Sequence, residues 1–144
     1  MELMIVIVII GILSAVGMVM FGGQAEKAKI AATKSIHKQV TTFIVVEMMN
    51  CSMGDTTTMG GSLTCSGRTP TSVVAAAVTS QSGEHENPYQ VEKAAVTSGG
   101  ANTATGDAGF IRLSVSGQNI EVKSCHTQPC SAADERDEKT IAFQ

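Results

Sequence analysis

The chain has 144 residues, with 10 Lys+Arg against 13 Asp+Glu and a formal net charge of −3. That length suits one ordinary domain, and the acidic balance excludes broad electrostatic nucleic-acid binding, which needs a basic surface. Aromatic residues make up 3% of the chain, with no Trp and one Tyr. Stacking platforms for single-stranded nucleic acid are excluded with them.

The first predicted element is apolar. Residues 3–21 read LMIVIVIIGILSAVGMVMF, nineteen residues without a charge. As a helix they cover about 28 Å, close to the ~30 Å hydrocarbon core of a bilayer. A signal peptide would carry a basic flank and a shorter apolar run. Here the flank is Met1-Glu2. A plain membrane anchor and a buried core helix are the other readings, the second weaker because so long a run rarely stays inside one soluble domain.

The helical pattern continues past Phe21. Ala25, Ala28, Ala32, Ile36, Val40 and Phe43 recur at three- and four-residue spacing, with Lys27, Lys34 and Lys38 on a different stripe. No Pro occurs before Pro70. The spacing therefore predicts one helix over residues 2–50, roughly 73 Å long if straight, against a diameter of about 35–40 Å for a domain of this size. Such a helix protrudes, and its apolar half needs cover from lipid or from further copies. Gly17, Gly22 and Gly23 make 17–23 its weakest part, since each Gly costs about 1 kcal/mol relative to Ala. They read as close-packing positions or as a segment able to melt. Glu2, at the edge of the apolar run, calls for a cationic partner or a solvated headgroup position.

Beyond residue 50 the composition turns to Ser, Thr, Gly and Ala. Residues 55–62 read as a loop, 71–79 as a short helix or a strand, 91–97 as a weak strand and 98–109 as a loop. The clearest β signal is GFIRLSVSGQNIEVKSC, where Ile111, Leu113, Val115, Ile120 and Val122 alternate with polar residues around Ser116-Gly117-Gln118-Asn119. It predicts a hairpin over 110–124, with a short last strand at 140–143. The apolar face of this sheet should cover the long helix near Ile36, Val40 and Phe43. The domain reading is thus 1–23 apolar helix, 24–50 its amphipathic continuation and 51–144 a stapled head.

Cysteines stand at 51, 65, 125 and 130. Three pairings are possible. Cys51–Cys65 and Cys125–Cys130 are expected because each closes a local loop. Disulfides point to an extracytoplasmic head. The lysines after the apolar run point the other way by the positive-inside rule, a conflict that a basic leader ahead of Met1 would remove. Asp134, Glu135, Asp137 and Glu138 read as a solvated acidic face, without the spacing of a calcium loop. No catalytic residue, metal site or cofactor is called for by any of these patterns.

Residues 2–15, ELMIVIVIIGILSA, resemble the N-terminal signature of type IV pilins. The resemblance is strong over that stretch and plausible to about residue 50. It implies an α+β type IV pilin fold, a long protruding N-terminal α-helix packed against a small antiparallel β-sheet head. It implies a filament subunit that polymerises with itself, serving adhesion, twitching motility or DNA uptake. Leu3, Ile5, Val6, Ile9, Ile10, Ile12, Leu13 and Val16 would pack in the filament core, and Glu2 would form a salt bridge to a neighbouring subunit's N-terminal amine. Before assembly the helix would sit in inner-membrane lipid. A prepilin peptidase, assembly machinery and N-terminal methylation are implied with it, and the assembled fibre would be extracellular. The usual leader and the residues just before the glutamate are not seen, so an incomplete start is expected. The competing readings are a type II secretion pseudopilin and a monomeric membrane-anchored binding module.

Overall fold

The structure is a computed structural model that describes residues 2–144, with side chains at 3–17 and 21–144. Helix α1 runs Glu2–Met53, 52 residues or about 78 Å. Helical residues fill its whole length, and no Pro interrupts it. It ends where Gly54 takes a φ of 112°, a conformation open to residues without a side chain, and Asp55 N–H closes back onto the Asn50 carbonyl at 3.2 Å. The helix thus runs three residues past its predicted end, through Cys51.

A two-stranded pair follows, β1 (Thr57–Thr58) with β2 (Leu63–Thr64), around a 3-10 turn at Met59–Gly61. Residues 55–62 are therefore more than a loop. The turn plugs Met59 completely into the core. Met59 has a φ of 53°, and its N–H donates to the Glu47 carboxylate of α1. The sequence hides this arrangement because Thr and Gly around a single Met give no periodicity.

Residues 71–79 are helical. Helix α2 (Pro70–Gln81) starts at a capping box in which Thr69 Oγ1 accepts from Ser72 N–H at 3.2 Å and Ser72 Oγ accepts from Thr69 N–H at 2.9 Å. Pro70 occupies the first turn, where its missing N–H is not needed. Two elements replace the weak strand at 91–97. β3 (Glu86–Asn87) pairs with β4 (Gln90–Ala94), and β5 (Val96–Ser98) joins the main sheet.

The main sheet has the order β5-β6-β7-β8. β6 (Ile111–Ser116) and β7 (Asn119–Cys125) form the hairpin, with Ser116 opposite Asn119 and Gly117 at a φ of 61° in the turn. β5 lies parallel to β6, so the sheet is mixed rather than purely antiparallel. β8 spans Arg136–Ala142 and pairs with β7 along its whole length. The predicted last strand at 140–143 was too short. The charged run RDEK concealed it, yet charges are what an edge strand carries when one side faces water.

The core forms where sheet and helices meet. Ile36, Val40, Ile44 and Met48 of α1 are buried with Ile111, Leu113, Ile120, Val122 and Ile141 of the sheet and Val73, Val74, Ala76 and Ala77 of α2. Phe43 and Phe143 are partly buried at its edge. The helix from Thr33 onward thus packs as part of the head. Cys51 is bonded to Cys65, with Cα atoms 5.3 Å apart, and Cys125 to Cys130 at 5.7 Å. The first ties the end of α1 to β2, and the second closes the loop after β7.

Candidate assembly surface

The head holds only the second half of α1. The contact nearest the N-terminus is made by Tyr89, in the turn between β3 and β4. Its hydroxyl lies 2.8 Å from Glu26 Oε1 and 2.7 Å from the His126 carbonyl oxygen, and Lys29 Nζ sits 5.2 Å above its ring. The turn is held by Asn87, fully buried, which accepts from Tyr89 N–H at 2.8 Å and Gln90 N–H at 3.1 Å and donates to the Ala108 carbonyl. Gly109 keeps a φ of 84° beside it, and any side chain there would collide with the Asn87 amide. Burial pushes the Tyr89 phenol well above its ordinary value, with the Glu26 hydrogen bond and charge acting in the same direction.

Among the described residues before Glu26, nothing covers the helix. Leu3, Ile5, Val6, Ile9, Ile10, Ile12, Leu13 and Val16 are each 51–80% exposed, and Phe21 is 75% exposed. The first eight lie on one half of the rod, and Met4, Ile7 and Val8, exposed on the other half, leave it without a polar side. An apolar helix without a polar face is stable only inside lipid or among other apolar surfaces. Covering these eight side chains at about 1.5–3 kcal/mol each is worth on the order of 10–25 kcal/mol. The segment is long and apolar enough to cross a membrane.

Gly17, Gly22 and Gly23 lie within continuous helix, and among the described residues nothing beyond the helix's own nearby backbone comes within 4 Å of where a Cβ would stand. Packing inside the subunit therefore gives no reason for these glycines. The Glu2 backbone is helical, and its side chain lies outside those described.

On the head, Arg112 pairs with Asp107 at 2.6 Å and with Asn102 Oδ1 at 2.6 Å, which orders the 98–109 loop. Asn102 donates in turn to the carbonyls of Phe110 and Lys123. Burial works against the Asp107 carboxylate, but N–H bonds from Ala104 and Thr103 and the Arg112 guanidinium outweigh it and hold its pKa below the usual range. The acidic face divides. Asp134 and Glu135 lie in a 3-10 turn, while Asp137 and Glu138 lie on β8 and engage His126 at 3.6 Å and Lys123 at 3.3 Å. Ser124, His37 and Asp137 also meet, although they are far apart in sequence. The Ser124 hydroxyl is completely buried against His37, closed to any substrate. Among the described residues no group of His, Cys, Asp or Glu has the geometry to hold a metal ion.

These features define an α+β architecture, one long N-terminal helix whose apolar half is bare and a disulfide-bearing mixed sheet packed on its other half. It is compatible with a pilin-like fold. No family model, no curated protein and no solved structure matches this chain.

Proposed function

We propose that the protein is the structural subunit of a type IV pilus-like filament, polymerising through its N-terminal helix. The observation that supports this reading is the bare apolar rod from Leu3 to Val16, projecting from a head that ends its grip at Glu26. In lipid the rod serves as an anchor. In a filament the rods of many copies bundle into one apolar core, and the heads form the outer surface. The signature around Glu2 adds a means of fixing register, because a carboxylate carried into an apolar bundle is stable only when paired with a neighbour's amine. Adhesion, motility or DNA uptake would then be properties of the fibre.

Electron microscopy of surface fibres from cells expressing the wild type and Glu2→Ala tests this. Fibres that contain the chain and disappear in the variant are the expected result. Absence of fibres from the wild type, with the protein retained as single membrane-anchored subunits, would favour the anchored binding module instead. Short periplasmic assemblies without surface fibres would favour a secretion pseudopilin.

A further inference from the structure

Between α1 and the β7–β8 edge of the sheet lies a polar seam inside an otherwise apolar contact. His37 Nδ1 of α1 is 2.9 Å from the Ser124 hydroxyl of β7, which is fully buried. His126, just past β7 and 5% exposed, has Nε2 3.6 Å from Asp137 Oδ2 of β8 and Nδ1 3.0 Å from Thr127 Oγ1. A charge on His126 acts on His37, and Asp137 acts on both rings.

The remaining charged groups around the seam are named by element. From α1, Lys34 and Lys38 line the cleft beside His37, and Lys34 also acts on His126. From β8, Asp137, Glu138 and Lys139 line the opposite wall. Glu138 is engaged by Lys123 of β7, which also holds Glu121 at 2.7 Å. Asp134 and Glu135 of the 3-10 turn reach His126 with a weaker attraction. Asp137 is the one carboxylate that acts on both imidazoles, among lysines contributed by both walls. It can neutralise the first positive charge but not the second.

We propose that this seam is an acid-operated latch: neutral His37 and His126 hold the β7–β8 edge against α1, and charging them in acid releases that edge. Burial disfavours the charged form of both rings, and Lys34 adds to the effect at His126. The unfolded chain takes up protons first as pH falls through about 6.5, so the seam is fully stable above that pH and weakens below it. The release is local, because α2 packs chiefly on β5 and β6, and β1 and β2 pack beside the C-terminal end of α1. The latch is independent of the filament reading. It would set how firmly each head is clasped to its own helix whether the rod lies in lipid or in a fibre.

Amide hydrogen exchange and histidine NMR titration of the full chain in detergent micelles test the proposal. Both imidazoles should titrate below the ordinary histidine value. After correction for intrinsic exchange, the β8 amides of Lys139–Ile141 should open about tenfold more often near pH 5 than near pH 7.5, with those of β5 and α2 little changed. His37→Gln with His126→Gln should remove most of that difference. Asp137→Asn, which takes away the shared counter-charge, should make the acid effect larger. Uniform opening of the whole head, ordinary titration of both rings, or a smaller acid effect in Asp137→Asn would each overturn the latch. Should the double histidine variant fail to fold, the wild-type exchange pattern and the Asp137→Asn comparison decide it.

Discussion

The Tyr89 hydroxyl stands 2.8 Å from the Glu26 carboxylate, across sixty-three residues of sequence, and this bond marks where the head ends and the bare rod begins. The same hydroxyl meets the His126 carbonyl, so one side chain ties the β3–β4 turn, the helix and the loop after β7. Tyr89→Phe removes the one O–H proton that the Glu26 carboxylate and the His126 carbonyl share. A loss of about 1–2 kcal/mol is expected by thermal unfolding, with faster amide exchange between Glu26 and Lys29.

Tyr89 is the chain's one tyrosine, which makes its ionisation directly readable. Its phenol is held neutral past the ordinary range. The unfolded chain ionises first as pH rises through about 10, so the stability that Tyr89 contributes is lost there. Tyrosinate absorbance of the folded protein should therefore appear at clearly higher pH than that of the denatured protein, and Glu26→Gln should bring the two closer together.

Ile44 and Val46, two residues apart, report the helix's two faces. Ile44 is fully buried between sheet and helix, whereas Val46 is 46% exposed. Ile44→Ala should destabilise the subunit by about 2–5 kcal/mol. Val46→Ala should change it by less than about 0.5 kcal/mol. Denaturation of the two variants under one set of conditions checks the difference.

The two disulfides close loops of different length, with sequence separations of 14 and 5. A longer loop leaves the unfolded chain more freedom when the bond is absent. Replacing Cys51 and Cys65 by Ala should cost about 3 kcal/mol, and replacing Cys125 and Cys130 about 2 kcal/mol. Comparative thermal melts of the two double variants measure this ordering.

Much of the architecture is readable in the residues because two physical signals are strong there. Nineteen apolar residues without a charge, followed by Ile36 and Val40 at helical spacing, define the rod and its buried face. Strict alternation from Ile111 to Val122 defines the hairpin. Where those signals fade, so does legibility. β8 is an edge strand whose exposed charges suppress alternation, and only Ile141 is buried. The parallel placement of β5 depends on the fold of residues 99–110, ordered by the Asn102–Arg112–Asp107 network. No local pattern carries that. The Tyr89–Glu26 and His37–Ser124 contacts are likewise invisible in sequence, because tertiary folding alone brings such distant residues together. The apolar side chains of the assembly surface are legible for the opposite reason, since their number and continuity need no tertiary partner to be recognised.

The central claim is that the Leu3–Val16 rod is stable only when something apolar surrounds it. The most direct measurement is sedimentation, with electron microscopy, of the full chain as detergent is withdrawn in the absence of lipid. Elongated polymers, with heads outside and rods protected from hydrogen exchange, are the expected result. A soluble monomer with the same rod helical and freely exposed to water would contradict the account.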